Sequence, residues 1–415
     1  MYFHISRNNY YVRHGVMKTI GIVTVGRSDY GIYVPVLKAV QAHPNLRLHL
    51  IAAGMHLSPE FGSTALMIEE DGFEIGDKVE MLLSSETPEG IAKSIGLGTI
   101  GFAQSFGRFK PDILVVLGDR FEMYAAALAA LPFKIPVAHI HGGELTMGAI
   151  DDALRHSITK LSHLHFVAME EYARRVMQLG EEPWRVVVSG APSLDNVHSV
   201  DLLSKEEMEA NHNINLSRPP LLVTFHPVTL EYEQTERQVS ELLAALDASG
   251  LPVIFTMPNA DTYSRVIQSM ISDYAGTHSG SYVIDNLGIQ NYFSLMSFAT
   301  AMVGNSSSGI IEAATFGLPV VNIGTRQDGR IRSGNVVDVG YTSDDILDGI
   351  RTVSQSGFRN SLRNMLNVYG TGHASKKIVD RLHSIVLDTA LVRKRFHDVH
   401  TNSGSSSDGI RTTIV

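Results

Sequence analysis

The chain has 415 residues, 44% of them apolar and 19% charged, with a formal net charge of −9 and no cysteine. At roughly 100–200 residues per domain this predicts two or three globular domains, far from the composition of a disordered chain. The acidic balance argues against a nucleic-acid or anionic-membrane binder, the missing cysteines exclude disulfides, zinc–thiolate sites and thiol nucleophiles, and no apolar run approaches the ~18–20 residues of a membrane-spanning helix.

Residues 1–17 are polar and aromatic, show no period and lack the apolar stretch of a secretory signal, so they read as an extension outside the fold of a cytoplasmic protein. From Lys18 short apolar runs alternate with helical patterns. Strands are predicted at Thr19–Val25, Leu46–Ala52, Ile113–Leu117, Val137–Ile140, His165–Val167 and Val186–Val188. Helices are predicted between them at Tyr33–Gln41, Ile91–Phe109, Tyr124–Leu131 and Asp151–Leu164. Runs rich in Val, Ile and Leu suit parallel strands covered on both faces, and the alternation predicts a doubly wound α/β domain over 18–195. After a polar segment near 196–218 the order restarts, with strands at Leu221–Thr224, Val253–Thr256, Tyr282–Ile284, Ala301–Val303 and Val320–Ile323. This second Rossmann-like domain, 196–390, closes with a helical region over Ser343–Ala390, and 391–415 reads as a polar tail. In such folds ligands bind beyond the carboxyl ends of the strands, so two facing halves place a site in the cleft between them.

Strand ends therefore carry most of the information. The first strand ends in Gly26-Arg27-Ser28-Asp29-Tyr30-Gly31, which is not a dinucleotide fingerprint; Arg27 can meet a phosphate there, or lie on the surface beside an Asp cap. Asp119 and Arg120 follow Leu114–Leu117, where a carboxylate can serve as a base or cap the next helix. The next strand delivers His139-Ile140-His141-Gly142-Gly143-Glu144. Strand alternation puts both histidines on one side, a weak metal set but a good acid–base pair, with one of the two expected to be a buried structural histidine. Asp151-Asp152 opens a helix in which Arg155 and His156 lie one turn further on, the spacing of an ion-paired carboxylate. In the second half Pro227 holds His226 in the exit turn of its strand. Gly304-Asn305-Ser306-Ser307-Ser308-Gly309 joins a strand to a helix, with more small hydroxyl residues than a cap needs, and so reads as a diphosphate site. Glu312, in the first turn of that helix, could accept hydrogen bonds from ribose hydroxyls.

These segments, in this order and with GMH and NIGTRQDGR added, resemble the UDP-N-acetylglucosamine 2-epimerase family from Lys18 to about Arg381, and within it the hydrolysing branch that opens sialic-acid and legionaminic-acid synthesis. The resemblance implies the two-domain GT-B fold and elimination of UDP across carbons 1 and 2 of the sugar. Water then adds to the resulting glycal, with no metal and no nicotinamide cofactor. It implies UDP contacts from Arg27, Arg120, His226, Asn259, Ser306, Ser307 and Glu312, with Arg326 and Arg330 completing the cleft. Asp119 and Asp151 fall on proton-transfer positions. At a third such position, glutamate in other branches, this chain has His141 followed by Glu144, which leaves the base open among His141, Glu144 and Asp119. The substrate is UDP-N-acetylglucosamine or UDP-N,N′-diacetylbacillosamine, and the assembly a homodimer or homotetramer. A GT-B glycosyltransferase or a catalytically silent nucleotide-sugar sensor are the alternatives; the first lacks a use for HIHGGE and DDALRH, and the second would have lost the acid–base set.

Overall fold

The computed structural model describes residues 17–59, 64–83, 87–147, 150–228, 231–257, 264–284 and 287–399. Residues 1–16 of the expected extension and residues 400–415 of the tail lie outside the described residues.

The first sheet contains β1 (Lys18–Thr24), β2 (Leu46–Ala53), β3 (Ile75–Val79), β4 (Ile113–Leu117), β5 (Val137–Ile140), β6 (Leu164–Val167) and β7 (Val186–Val188). Their order is β3-β2-β1-β4-β5-β6-β7, all parallel. The second sheet contains β8 (Leu221–Thr224), β9 (Val253–Thr256), β10 (Ser281–Ile284), β11 (Ala301–Gly304), β12 (Val320–Ile323) and β13 (Val336–Val339), in the parallel order β10-β9-β8-β11-β12-β13. The winding direction reverses between β1 and β4, and again between β8 and β11, and each reversal opens a crevice at the carboxyl ends. The two Rossmann-like sheets are those expected.

β4, Ile-Leu-Val-Val-Leu, is buried at every position because helices cover both faces of the sheet. Burying each such side chain contributes about 1.5–3 kcal/mol. β3 and β13 were not expected. Both are edge strands carrying charge, Ile-Gly-Asp-Lys-Val and Val-Val-Asp-Val, and a half-exposed edge needs no continuous apolar run. The helix expected over Asp151–Leu164 stops at Leu161, since Leu164 already belongs to β6.

The core of the first sheet takes in Ile378, Val379, Leu382, Ile385 and Leu391. The helices Ala374–Ser384 and Thr389–Val392, grouped with the second half by their place in the chain, therefore return to the first domain. The chain just beyond residue 390 is likewise docked rather than a free polar tail. The fully buried Arg185 donates to the carbonyls of Ala390 and Leu391 at 2.9 and 2.8 Å. Lys394 Nζ donates to the carbonyl of Ser162 at 2.6 Å and meets Glu181 at 2.7 Å. The polar residues of this strap serve buried partners, so polarity there does not signal exposure.

A smaller apolar cluster joins the domains: Val167, Tyr172 and Val176 of the first pack with Ile310 and Ile311 of the second and with Tyr369. No helix among the described residues is long and apolar enough to cross a membrane.

Candidate active site

On the first-sheet side, β4 delivers Asp119, whose carboxylate meets the guanidinium of Arg155. Arg155 also donates to the His141 carbonyl at 2.8 Å and to the Thr146 hydroxyl at 3.0 Å. Thr146 in turn lies 3.4 Å from Asp119 Oδ2. Helical spacing alone set Arg155 beside Asp151. Its side chain instead turns inward, because it shares the buried face of the helix Asp151–Leu161 with Ile158 and Thr159. His156 lies 3.6 Å from Asp152, as the spacing predicts. Asp151 opens this helix and is partly exposed.

The two histidines of HIHGGE do not share a role or a direction. β5 ends at Ile140, and His141 has φ +64°, in the left-handed region, so strand alternation no longer applies to it. His139 is completely buried, and burial holds its pKa down to about 3. Its ring bonds to the Gly118 carbonyl at 2.7 Å and to the Thr159 hydroxyl at 3.1 Å. His141 instead places Nδ1 2.5 Å from Glu144 Oε1. The chain can fold back for this contact because residue 143 is glycine: its φ is +77°, and a Cβ there would lie 2.5 Å from the Tyr172 carbonyl oxygen.

Glu144 is 1% exposed. Its other oxygen faces Arg330 Nη2 at 3.5 Å and Arg155 Nη1 at 4.0 Å. Burial alone would raise its pKa, but His141, Arg330 and Arg155 outweigh burial and hold it at about 2. An ionised carboxylate only accepts, so His141 Nδ1 carries a proton and donates it to Glu144. Among the described residues His141 Nε2 is buried with no hydrogen-bond partner, as are Nε and Nη1 of Arg330. Orphaned polar atoms at a domain boundary mark a place prepared for a ligand.

On the second-sheet side, His226 follows β8. Its N–H donates to Asn305 Oδ1 at 2.7 Å, and its carbonyl accepts from Asn305 Nδ2 at 2.8 Å. The ends of β8 and β11 approach so closely that a Cβ on Gly304, φ +134°, would lie 2.0 Å from the Thr224 carbonyl oxygen. Ser306 caps the short helix Ser307–Ile311 and accepts from the Ser308 N–H at 3.3 Å. Arg326 and Gln327 donate to the Asn305 carbonyl at 3.1 and 2.8 Å. Burial, with Arg326 and Arg120 facing the ring, holds the pKa of His226 well below the usual histidine range. Since Arg120 follows β4, this histidine is where the two halves of the site meet; Arg120 also pairs with the buried Glu122 at 3.2 Å.

Glu312 departs from its expected position. The helix is only five residues long, so Glu312 follows its last turn instead of sitting in its first. Its carboxylate accepts from the Ser193 hydroxyl, and burial raises its pKa against the pull of Ser193, Ser308 and His141. Arg27 opens the helix after β1 and is exposed. Asp29 is no N-cap: it is buried, accepting from the Thr24 hydroxyl at 2.7 Å and the Val25 N–H at 2.9 Å. Asn259 lies outside the described residues. Tyr292 was missed by sequence reasoning; its hydroxyl faces Thr224, Ser306 and Ser308, yet its helix, Gly288–Phe298, shows the mixed apolar and polar pattern of any half-buried helix. Ser193 and Thr146 were missed too, and no signal in single residues of a loop would have found them.

A family model described as UDP-N-acetylglucosamine 2-epimerase matches residues 38–383 of this chain. The GDP/UDP-N,N′-diacetylbacillosamine 2-epimerase (hydrolyzing) of Campylobacter jejuni is 39% identical, over 92% of this chain and 99% of its own length. The UDP-N,N′-diacetylbacillosamine 2-epimerase (hydrolyzing) of Legionella pneumophila is 36% identical, over 91% and 99%. Among solved structures, the UDP-GlcNAc 2-epimerase of Neisseria meningitidis bound to UDP-GlcNAc shares the fold, with a TM-score of 0.76 at 20% identity, covering 88% of this chain and all of that one.

Proposed function

Because the chain belongs to the UDP-N-acetylglucosamine 2-epimerase family, we propose that it is a hydrolysing UDP-sugar 2-epimerase that releases UDP and the free 2-epimeric amino sugar. The observation that carries this reading is the buried Glu144–His141 pair, with His141 Nε2 unpartnered among the described residues, set beside Asp119–Arg155.

In the first step a base removes the hydrogen on carbon 2, the bond from carbon 1 to the diphosphate oxygen breaks, and UDP leaves with the electron pair. Water then adds to the glycal, hydroxide at carbon 1 and a proton at carbon 2 on the opposite face. His141 Nε2 is the group placed to exchange one of these protons, and Glu144 orients its ring. Asp119 is the second proton-transfer group, held by Arg155 and Thr146, and Asp151 the third, at the head of its helix. His226, Ser306, Ser307, Arg120 and Arg326 hold the diphosphate and stabilise it as it departs. Glu312 takes the ribose, in exchange for Ser193, and Arg27 and Asn259 complete the nucleotide contacts. Arg330 fixes Glu144 across the domain boundary. The scheme needs no redox partner.

The names of the Campylobacter and Legionella relatives support UDP-N,N′-diacetylbacillosamine as the sugar nucleotide over UDP-N-acetylglucosamine. A cytoplasmic homodimer or homotetramer completes the reading. The test is incubation with each sugar nucleotide in deuterium oxide, without an acceptor. UDP release with deuterium on carbon 2 of the free epimer is expected. Retention of the original hydrogen refutes elimination and hydration, and dependence on an acceptor sugar favours a glycosyltransferase.

A further inference from the structure

The scheme uses one histidine of HIHGGE and leaves the other, in β5, unexplained. His139 is completely buried, so it cannot touch the substrate. Both ring nitrogens are nevertheless engaged, Nε2 with the Gly118 carbonyl at 2.7 Å and Nδ1 with the Thr159 hydroxyl at 3.1 Å. A carbonyl only accepts, so Nε2 carries the proton and Nδ1 accepts from Thr159. The neighbouring strand does not charge the ring either: His165, its register partner on β6, is committed to Glu181 at 3.0 Å. His139 is therefore a neutral donor with a single target.

That target is the residue before Asp119. Gly118 has φ +73°, and a Cβ at this position would meet nothing within 4 Å. Gly118 is buried, but it has no side chain to anchor it, and its backbone torsions are the widest available to any residue. Two hydrogen bonds hold it. The Gly118 N–H donates to the Ile140 carbonyl at 2.9 Å, and the Gly118 carbonyl accepts from His139. Both bonds come from β5. Swinging the Gly118 carbonyl would carry Asp119 with it, away from Arg155 and Thr146.

We propose that His139 is a positioning residue, which sets the orientation of Asp119 in the cleft by clamping the carbonyl of Gly118. The inference rests on the reading of Asp119 as a proton-transfer group.

The test compares two amides at one position. In His139→Gln the amide nitrogen takes the place of Nε2 and still donates to Gly118. In His139→Asn it takes the place of Nδ1 and falls short. His139→Asn is expected to lower kcat roughly 10- to 100-fold, the scale of a misplaced reacting group, with KM and UDP affinity within about twofold. His139→Gln should restore most of kcat. Thermal midpoints are measured alongside, and if the Asn variant does not fold, His139→Leu takes its place against Gln. Equal kcat in the Gln and Asn variants, or wild-type kcat in a folded Asn or Leu variant, overturns the inference. Asp119→Asn separates the two claims. If it keeps full turnover, the reading of Asp119 fails and the inference with it. If it loses turnover while His139→Asn does not, only the positioning role fails.

Discussion

Glu144→Gln removes a charge at the centre of the site while keeping the shape of the side chain. Glu144 is held at about 2 against an ordinary 4.5, because His141, Arg330 and Arg155 outweigh the penalty of burial. At ~1.36 kcal/mol per pH unit this amounts to about 3 kcal/mol favouring the ionised form in the folded protein. A carboxyl whose pKa is depressed on folding contributes that stability fully above pH 4.5 and loses it as the pH falls towards 2. The variant should therefore be less stable by about 3 kcal/mol at neutral pH, with the gap from wild type closing in acid. The effect on turnover is separate. A glutamine amide can donate to His141 Nδ1, which moves the ring proton to Nε2 and removes the lone pair that accepts from the sugar. Loss of a general base costs about 10²–10⁴-fold in rate, and a wrongly protonated histidine in a catalytic triad falls at the upper end of that range. UDP release measures kcat, calorimetry measures UDP affinity, and urea unfolding between pH 7 and 3 measures stability. A folded variant with kcat within threefold of wild type refutes the pairing of Glu144 with a working His141.

Ser307→Ala and His226→Ala should each weaken UDP binding by about 1–3 kcal/mol, the loss of one hydrogen bond to a charged group, and calorimetry showing unchanged affinity in both would remove the diphosphate assignment. Burial holds His139 at about 3, and His56 and His163 at about 4, so the unfolded chain binds protons first as the pH falls. Stability should be full above pH 6.5 and decline towards pH 4, by at most about 3 kcal/mol for each of His56 and His163. Urea unfolding that is flat across this range contradicts buried neutral histidines.

How much was legible follows from what each residue answers to. β4 is unmistakable, because a strand covered on both faces is apolar throughout. β3 and β13 are hidden, because one side of an edge is free to carry Asp77, Lys78 or Asp338. The motif residues were found because strand ends are where the fold puts ligands. Their division of labour was not. His139 and His141 are identical residues two positions apart, and only the left-handed turn at His141 sends them to different partners. Arg155 was seen as the neighbour of Asp151 along the helix, whereas its partner Asp119 lies 36 positions earlier in the chain. Spacing reports contacts within an element; contacts between elements depend on which face is buried.

The strap that Arg185 and Lys394 secure against the first sheet has a consequence for synthesis. A ribosome delivers the amino-terminal half first, but Leu382 and Leu391, which complete its core, emerge only after the whole second domain. Until then the nascent first sheet exposes the apolar surface those side chains cover, and the buried guanidinium of Arg185 lacks the carbonyls of Ala390 and Leu391. The second domain, its core drawn from residues 208–353, can close with no help from the segment beyond residue 374. In this chain the half made second is therefore the half able to finish first, and the half made first waits for the last segment to arrive.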